Sequence, residues 1–133
     1  MALIQDPAVR EVIQSAIAVH RELGPGLLES TYEGCLVHEL VSRRISVRRQ
    51  VPVAVVYKGL QIDCGYRLDL LIDTDVIVEV KSVESLAPIH VAQILTYLKL
   101  TDARQALLMN FNETTLKKGL RSYMGRTAAT RRT

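Results

Sequence analysis

The sequence predicts a mixed α/β fold in the order α-α-β-β-β-α-β-α, with a β-meander at its centre and helices covering it. Three observations support this order. Two stretches near the start place apolar residues at three- and four-residue steps. A central β-branched region is cut by two tight-turn signals, and a proline-led helical stretch precedes one more apolar run.

From Pro7 to Leu23 the apolar positions are Val9, Val12, Ile13, Ala16 and Ile17, the spacing of one helix face, and His20 continues the stripe. Gly24-Pro25-Gly26 ends this helix. A second runs from Leu27 to about Arg43, with Glu29, Tyr32, Leu36 and Leu40 on a shared face. Glu29 falls in its first turn, where a carboxylate complements the helix dipole. Val51 to Tyr57 reads as a strand, and Lys58-Gly59 as a tight turn into a longer strand, Leu60 to Ile72. Asp73-Thr74-Asp75 is a second turn, leading into Val76 to Ser82. Pro88 suits the first turn of a helix reaching about Leu100. Val91, Ile94, Leu95 and Leu98 form its apolar face, with His90, Gln93 and Tyr97 on an adjoining one. Ala106 to Phe111 is the next strand, and Asn112 is placed to cap a last helix through about Tyr123.

The 133 residues are 48% hydrophobic and 23% charged, a balance that fits a folded globular domain and excludes a disordered chain. No apolar run approaches the ~18 residues of a membrane helix. Met1 to Asp6 lacks the basic start and apolar segment of a signal peptide, so a cytoplasmic location is the default expectation. Cys35 and Cys64 are too few for a disulfide scaffold and show no metal-ligand spacing, so each is expected as a small buried hydrophobe. The net charge of +3 is mildly basic. Arginine and lysine cluster at Arg43, Arg44, Arg48 and Arg49, and again from Lys117 through Arg121 to Arg132. Such clusters suit a phosphate backbone, although a solvated surface accounts for them too. Residues 1–125 read as one domain and 126–133 as a basic, flexible tail.

Along Val76-Ile77-Val78-Glu79-Val80-Lys81 the side chains alternate, which puts Ile77, Glu79 and Lys81 on one face and the three valines on the other. With Asp73-Thr74-Asp75 as a three-residue loop, Ile72 faces Val76, and counting back sets Asp69 opposite Glu79. A slip of one residue would turn the two groups to opposite faces. In register, the carboxylates meet with Cβ atoms roughly 5 Å apart. Like charges at that separation repel by about 3 kcal/mol at an effective dielectric near ~20. Half-buried, such a pair calls for a cation. Lys81 supplies part of the charge, and a divalent ion that favours hard oxygen ligands, magnesium or manganese, supplies more. Taken alone, Glu79-x-Lys81 reads as a same-face ion pair worth little to stability. Asp69 across the hairpin and the preceding helix with Glu29 turn it into a candidate site.

Asp69, Glu79-Val80-Lys81 and Gln93-Ile94-Leu95-Thr96-Tyr97 together resemble the PD-(D/E)XK nuclease superfamily, and the Gln-x-x-x-Tyr resembles its RecB-like branch. Gly26-Leu27-Leu28-Glu29-Ser30-Thr31-Tyr32 reads G-x-x-E-x-x-Y and is similar to the signature of the GxxExxY protein family within that superfamily. The likeness takes in Val19 to Gly26, Gly65-Tyr66-Arg67-Leu68-Asp69 and Asn110-Phe111-Asn112, and spans the chain from Val12 to Arg121.

The resemblance implies a restriction-endonuclease-like core, a central mixed four-stranded sheet flanked by helices. It implies that Asp69 and Glu79 hold Mg2+, with Mn2+ as a substitute, and that Glu29 and the carbonyl of Val80 stand close by as further ligands. Asp69, Glu79, Glu29 and Lys81 form the implied catalytic set, with Lys81 orienting or helping to deprotonate the attacking water. Gln93 and Tyr97 would brace the site or touch the nucleic-acid backbone, and Arg67 would join them in substrate binding. His20, His90 and Arg67 are candidates for the layer around the site, with an ordinary packed role as the alternative for each. The implied activity is metal-dependent hydrolysis of phosphodiester bonds, in DNA ahead of RNA. A metal there would stabilise charge on the phosphate and acidify a bound water.

Two other classes fit the same residues. One is a catalytically weak or inactive module that binds nucleic acid or protein on the same fold. The other is a metal-dependent hydrolase or binder of a small phosphorylated molecule. No membrane partner is expected, and a two-fold homodimer would let each protomer attack one strand of a duplex.

Overall fold

Asp6 starts the first helix. In the computed structural model, which describes residues 6–125, its carboxylate accepts hydrogen bonds from the N–H groups of Ala8 and Val9 at 3.0 and 3.2 Å. Pro7 follows in the first turn, where a missing N–H costs nothing. Helix α1 (Pro7–Leu23) ends at Gly24, whose φ of 67° lies in the left-handed region that glycine tolerates. Helix α2 (Glu29–Ser42) packs beside it. Val9, Val12, Ala16 and Val19 of α1 join Tyr32, Leu36 and Leu40 of α2 in one buried cluster, on the spacing the sequence shows.

The strands follow as β1 (Val47–Pro52), β2 (Val55–Tyr57), β3 (Leu60–Ile62), β4 (Arg67–Ile72) and β5 (Val76–Lys81). Helix α3 (Pro88–Leu100) then crosses over to β6 (Gln105–Asn110), and a short 3₁₀ turn, Leu116–Gly119, leads to β7 (Leu120–Met124). The main sheet has the order β1-β4-β5-β6-β7, while β2 and β3 form a separate hairpin. Only β5 and β6 run parallel, as a helical crossover between them requires. One face of the sheet offers Leu70, Ile72, Val76, Val78, Val80, Leu107 and Met109 to α1 and α2. The other offers Leu68, Leu71, Ile77, Ala106 and Leu108 to Ile94, Tyr97 and Leu98 of α3.

The hairpin joining β4 to β5 carries the register that positions the site. Asp73 and Thr74 both adopt positive φ, 52° and 60°, and the three-residue loop pairs Ile72 with Val76, Leu71 with Ile77 and Leu70 with Val78. This is the register counted from the sequence. The two-residue turn Lys58-Gly59 likewise has positive φ at both positions and pairs Tyr57 with Leu60.

Several expected elements are corrected. Val51 to Tyr57 is not one strand: β1 ends at Pro52, and Val53 donates its N–H to the Tyr66 carbonyl at 2.8 Å as the chain leaves the sheet. That strand also begins earlier, at Val47, because an edge strand accepts the exposed Arg48 and Arg49 that hide its apolar pattern. The long strand from Leu60 breaks at residues 63–66, where Gly65 has φ 79° and Asp63 accepts the Gly65 N–H at 3.4 Å. Cys64, expected to be buried, lies exposed in this break. Asn112 caps no helix. Its N–H donates to Asn110 Oδ1 and its side-chain amide to the Val83 carbonyl, and the chain after it returns as β7, antiparallel to β6. Gly119 permits that return, since a Cβ there would stand 2.2 Å from the Asn110 carbonyl oxygen. Among the described residues the sheet therefore has five strands instead of four, and the last element is a strand.

Among the described residues, no helix is long and apolar enough to cross a membrane. The basic tail expected at 126–133 lies outside the described residues.

Candidate active site

Asp69 and Glu79 meet just beyond the last paired residues of the β4–β5 hairpin. The Asp69 N–H donates to Glu79 Oε1 at 3.2 Å, and the Val80 N–H donates to Asp69 Oδ2 at 2.8 Å. Two carboxyl groups thus take the place of ladder carbonyls, and the strands hold them face to face without leaving those N–H groups unpaired. Glu79 is only 3% exposed. Burial first, then the charge of Asp69 and the side-chain hydrogen bond between the two carboxyls, push its pKa up to about 9. The Asp69 N–H and the charge of Lys81 act in the other direction and offset only part of this. Without a cation Glu79 therefore keeps its proton at neutral pH, because its burial and the neighbouring Asp69 charge both disfavour the ionised form.

Helix α3 brings Tyr97 and Gln93 to the same place. Tyr97 is buried, and its hydroxyl pKa is raised by burial, then by the charges of Glu79 and Asp69 and by Tyr66, against a lowering hydrogen bond with the Gln93 side chain. A groove of about 500 Å³ runs along this helix, lined by Val55, Tyr66, Ile89, His90, Gln93 and Tyr97 among others. Tyr97 thus belongs both to the groove wall and to the surroundings of the carboxyl pair.

Glu29 arrives differently. Its Oε2 accepts the Ser82 N–H at 3.3 Å, one residue past Lys81, and Ser82 Oγ donates to the Leu27 carbonyl at 2.5 Å. Tyr32 donates its hydroxyl to the Gly24 carbonyl at 2.5 Å and accepts the Leu27 N–H at 3.1 Å, while its ring stacks on Phe111 at 4.7 Å. The Gly26–Tyr32 motif thus docks the start of α2 onto the end of β5. Among the described residues no three His, Cys, Asp or Glu side chains converge as a metal group, and the Glu29 carboxylate is engaged by the Ser82 N–H at the end of β5.

Arg67 is exposed and donates from Nη1 to the Gln50 carbonyl at 3.4 Å. His20 is buried, its Nε2 lies 2.8 Å from the Glu113 carbonyl oxygen, and its ring neighbours Phe111 in the α1–α2 core, the packed alternative for this residue. His90 accepts the Ala87 N–H on Nδ1 at 2.9 Å and closes the first turn of α3. Of the first basic cluster, Arg43 pairs with Glu39 and Glu11, and Arg49 with Glu33.

The sequence reading overlooked Glu33 and Gln50. Glu33 is buried, 7% exposed, and accepts from Arg49 Nε and Nη2 at 3.2 and 3.0 Å. Gln50 Nε2 lies 3.0 and 3.3 Å from the two Glu33 oxygens and 3.5 Å from Asp69 Oδ1. The available signal was a glutamate beside the apolar stripe of α2 with an Arg-Arg-Gln run downstream.

The donor chemistry of Asp69 and Glu79 fits a hard divalent cation. Both offer carboxylate oxygens, both are fixed by backbone N–H groups, and their mutual repulsion is what such a cation relieves. Residues 6–123 match the family model of the PD-(D/E)XK nuclease superfamily. No curated protein and no solved structure matches the chain.

Proposed function

The chain belongs to the PD-(D/E)XK nuclease superfamily, and on that premise we propose that it is a metal-dependent nuclease hydrolysing phosphodiester bonds of nucleic acid, DNA ahead of RNA. The observation that carries this reading is the buried Glu79 carboxyl held face to face with the Asp69 carboxyl, an arrangement that suppresses the Glu79 charge and that a cation would relieve. Asp69 and Glu79 would hold Mg2+, or Mn2+ in its place, with the Val80 carbonyl and Glu29 nearby. When bound there, the ion supplies charge stabilisation for the phosphate and a more acidic water. Lys81, on the same strand face as Glu79, orients the attacking water or takes its proton and offsets phosphate charge. Gln93 and Tyr97 brace the carboxyl pair from α3 and border the groove that would receive the sugar–phosphate backbone. The hydrogen-bonded Gln93–Tyr97 pair and the Gly26–Tyr32 docking also support placement in the GxxExxY, RecB-like branch.

The test is cleavage by the purified chain. Nucleic acid should be cut with Mg2+ or Mn2+, and both Lys81→Ala and Asp69→Asn should abolish cutting. Activity persisting in both variants would sink the assignment. One observation favours a second reading, a catalytically weak binding module: Glu29 is bonded to Ser82 and makes no third acid at the pair. That reading requires nucleic-acid binding indifferent to metal and to Lys81→Ala. Calorimetric Mg2+ binding that is lost in Glu79→Gln would count against it. For a duplex substrate we propose a two-fold dimer, which a monomeric mass by light scattering at working concentration would exclude.

A further inference from the structure

Gln50 stands at the position of β1 that faces Asp69. The β1–β4 ladder keeps one register on both sides of it, with Arg49 opposite Leu70 and Val51 opposite Leu68, and skips only this pair. The backbone of Gln50 has φ 51°, in the left-handed region. That region crowds a Cβ, and glutamine lacks the short side chain with which Asn or Asp makes a compensating local bond. Such a conformation persists only where the surroundings over-determine it.

Here the surroundings act through the side chain. Nε2 contacts both oxygens of Glu33, at 3.0 and 3.3 Å, and reaches to 3.5 Å from Asp69 Oδ1. Oxygens that only accept surround that end of the amide, so the NH₂ group must be the one facing them. Glu33 is in turn buried and gripped by Arg49. The Arg67 contact to the Gln50 carbonyl ties the turned backbone from the other side. Asp69 is therefore approached on both oxygens, by the Val80 N–H at Oδ2 and by the Gln50 amide at Oδ1.

We infer that Gln50 is a positioning residue for the Asp69 carboxylate, anchored on the Glu33–Arg49 pair and orienting Asp69 for a divalent cation without contributing charge of its own. A lysine or arginine in this place would orient Asp69 equally well but compete with the cation. A neutral amide does not, and the Arg49 guanidinium is already engaged by Glu33. The inference rests on the proposal that Asp69 and Glu79 hold that cation.

The experiment is a calorimetric titration of the full chain with Mn2+, with thermal unfolding of the metal-free protein alongside. Gln50→Gly accepts the left-handed backbone and removes only the amide. It should still unfold cooperatively with an unchanged far-ultraviolet circular dichroism spectrum, while its Mn2+ dissociation constant rises roughly tenfold or more. Gln50→Asn, also tolerant of positive φ but too short to span Glu33 and Asp69, should show the same loss. The metal concentration for half-maximal cleavage should rise in parallel, with activity recovered at saturating metal. Equal Mn2+ affinity in the wild type and both variants would overturn the role of Gln50 and leave the metal site standing. A wild type that binds no Mn2+, or an Asp69→Asn variant that binds it undiminished, would overturn the metal site and this inference with it.

Discussion

Glu33 and Glu79 are both buried carboxyls, and the chain surrounds them in opposite ways. Around Glu33 it assembles a guanidinium from Arg49 and an amide from Gln50, both at hydrogen-bonding distance. Around Glu79 it places a second carboxyl, with Lys81 a weaker influence than either burial or Asp69. The first arrangement is what a buried charge needs to be stable within the protein. The second keeps a proton on Glu79, and under the proposed function a divalent cation would take that proton's place. Burial of a carboxylate therefore does not by itself mark a site; a buried carboxylate left facing another one does.

The largest expected effect tests the chemistry of the second region. Asp69→Asn and Lys81→Ala should each lower nuclease turnover by roughly 10²–10³-fold or more, measured as cleavage at saturating Mg2+. Neither should disturb the Glu33 cluster, so far-ultraviolet circular dichroism and unfolding cooperativity should be retained. Turnover within a few-fold of wild type in either variant would remove that residue from the catalytic set.

The next effect sets the two glutamates directly against each other. Glu33→Gln breaks the ion pair between this buried carboxylate and the half-exposed Arg49 and should destabilise the protein by about 1–3 kcal/mol. Glu79→Gln removes a repelling carboxyl and should stabilise the metal-free protein while abolishing metal binding. The sign follows from linkage. The Glu79 carboxyl rises from 4.5 to about 9 on folding, so the folded state holds this proton more tightly than the unfolded chain does. Its contribution to stability is full below pH ~4.5, falls as pH rises toward ~9, and is flat above. The gain from Glu79→Gln should therefore be absent near pH 4.5 and greatest at pH 9 and beyond, read from denaturant midpoints across pH. A gain that is constant across pH would mean that Glu79 does not hold a proton in the folded state.

Metal binding should carry the same signature. Occupation of the pair displaces the Glu79 proton, so Mn2+ affinity should climb by up to about tenfold per pH unit through the neutral range and level off near pH 9. Calorimetry in buffers of different ionisation enthalpy should count close to one proton released per ion at pH 7. No released proton would place the ion elsewhere.

The legibility of the two regions differs for a physical reason. Asp69 opposite Glu79 could be counted from the sequence because a three-residue turn and the two-residue strand period propagate register locally, and Ile72–Val76 pairing follows. The helices α1 and α2 were visible in their apolar spacing for the same reason. Gln50 was not visible, because a left-handed glutamine is disfavoured locally and exists only through contacts with Glu33, Arg67 and Asp69, none of them near in sequence. The last strand was hidden likewise. Leu120 to Met124 becomes a strand because β6 offers a free edge and Gly119 allows the chain to approach it. What depends on short-range geometry was readable, and what depends on a distant partner was not.

The smallest effect sharpens the role of the helix that overlooks the pair. Tyr97 feels both carboxyls, and the combined burial and charge hold its phenol protonated, as a hydrogen-bond donor, across the physiological range. Tyr97→Phe keeps the ring in the core and removes only the hydroxyl, and with it the hydrogen bond shared with the Gln93 side chain. Loss of one such hydrogen bond corresponds to roughly 1 kcal/mol, or about fivefold. If Tyr97 braces the carboxyl pair, the loss should fall on kcat and on Mn2+ affinity, with KM for nucleic acid unchanged. If its hydroxyl instead contacts the sugar–phosphate backbone from the groove wall, KM should rise while Mn2+ affinity holds. The charges that act on the phenol are those of Glu79 and Asp69, so the first pattern is the expected one.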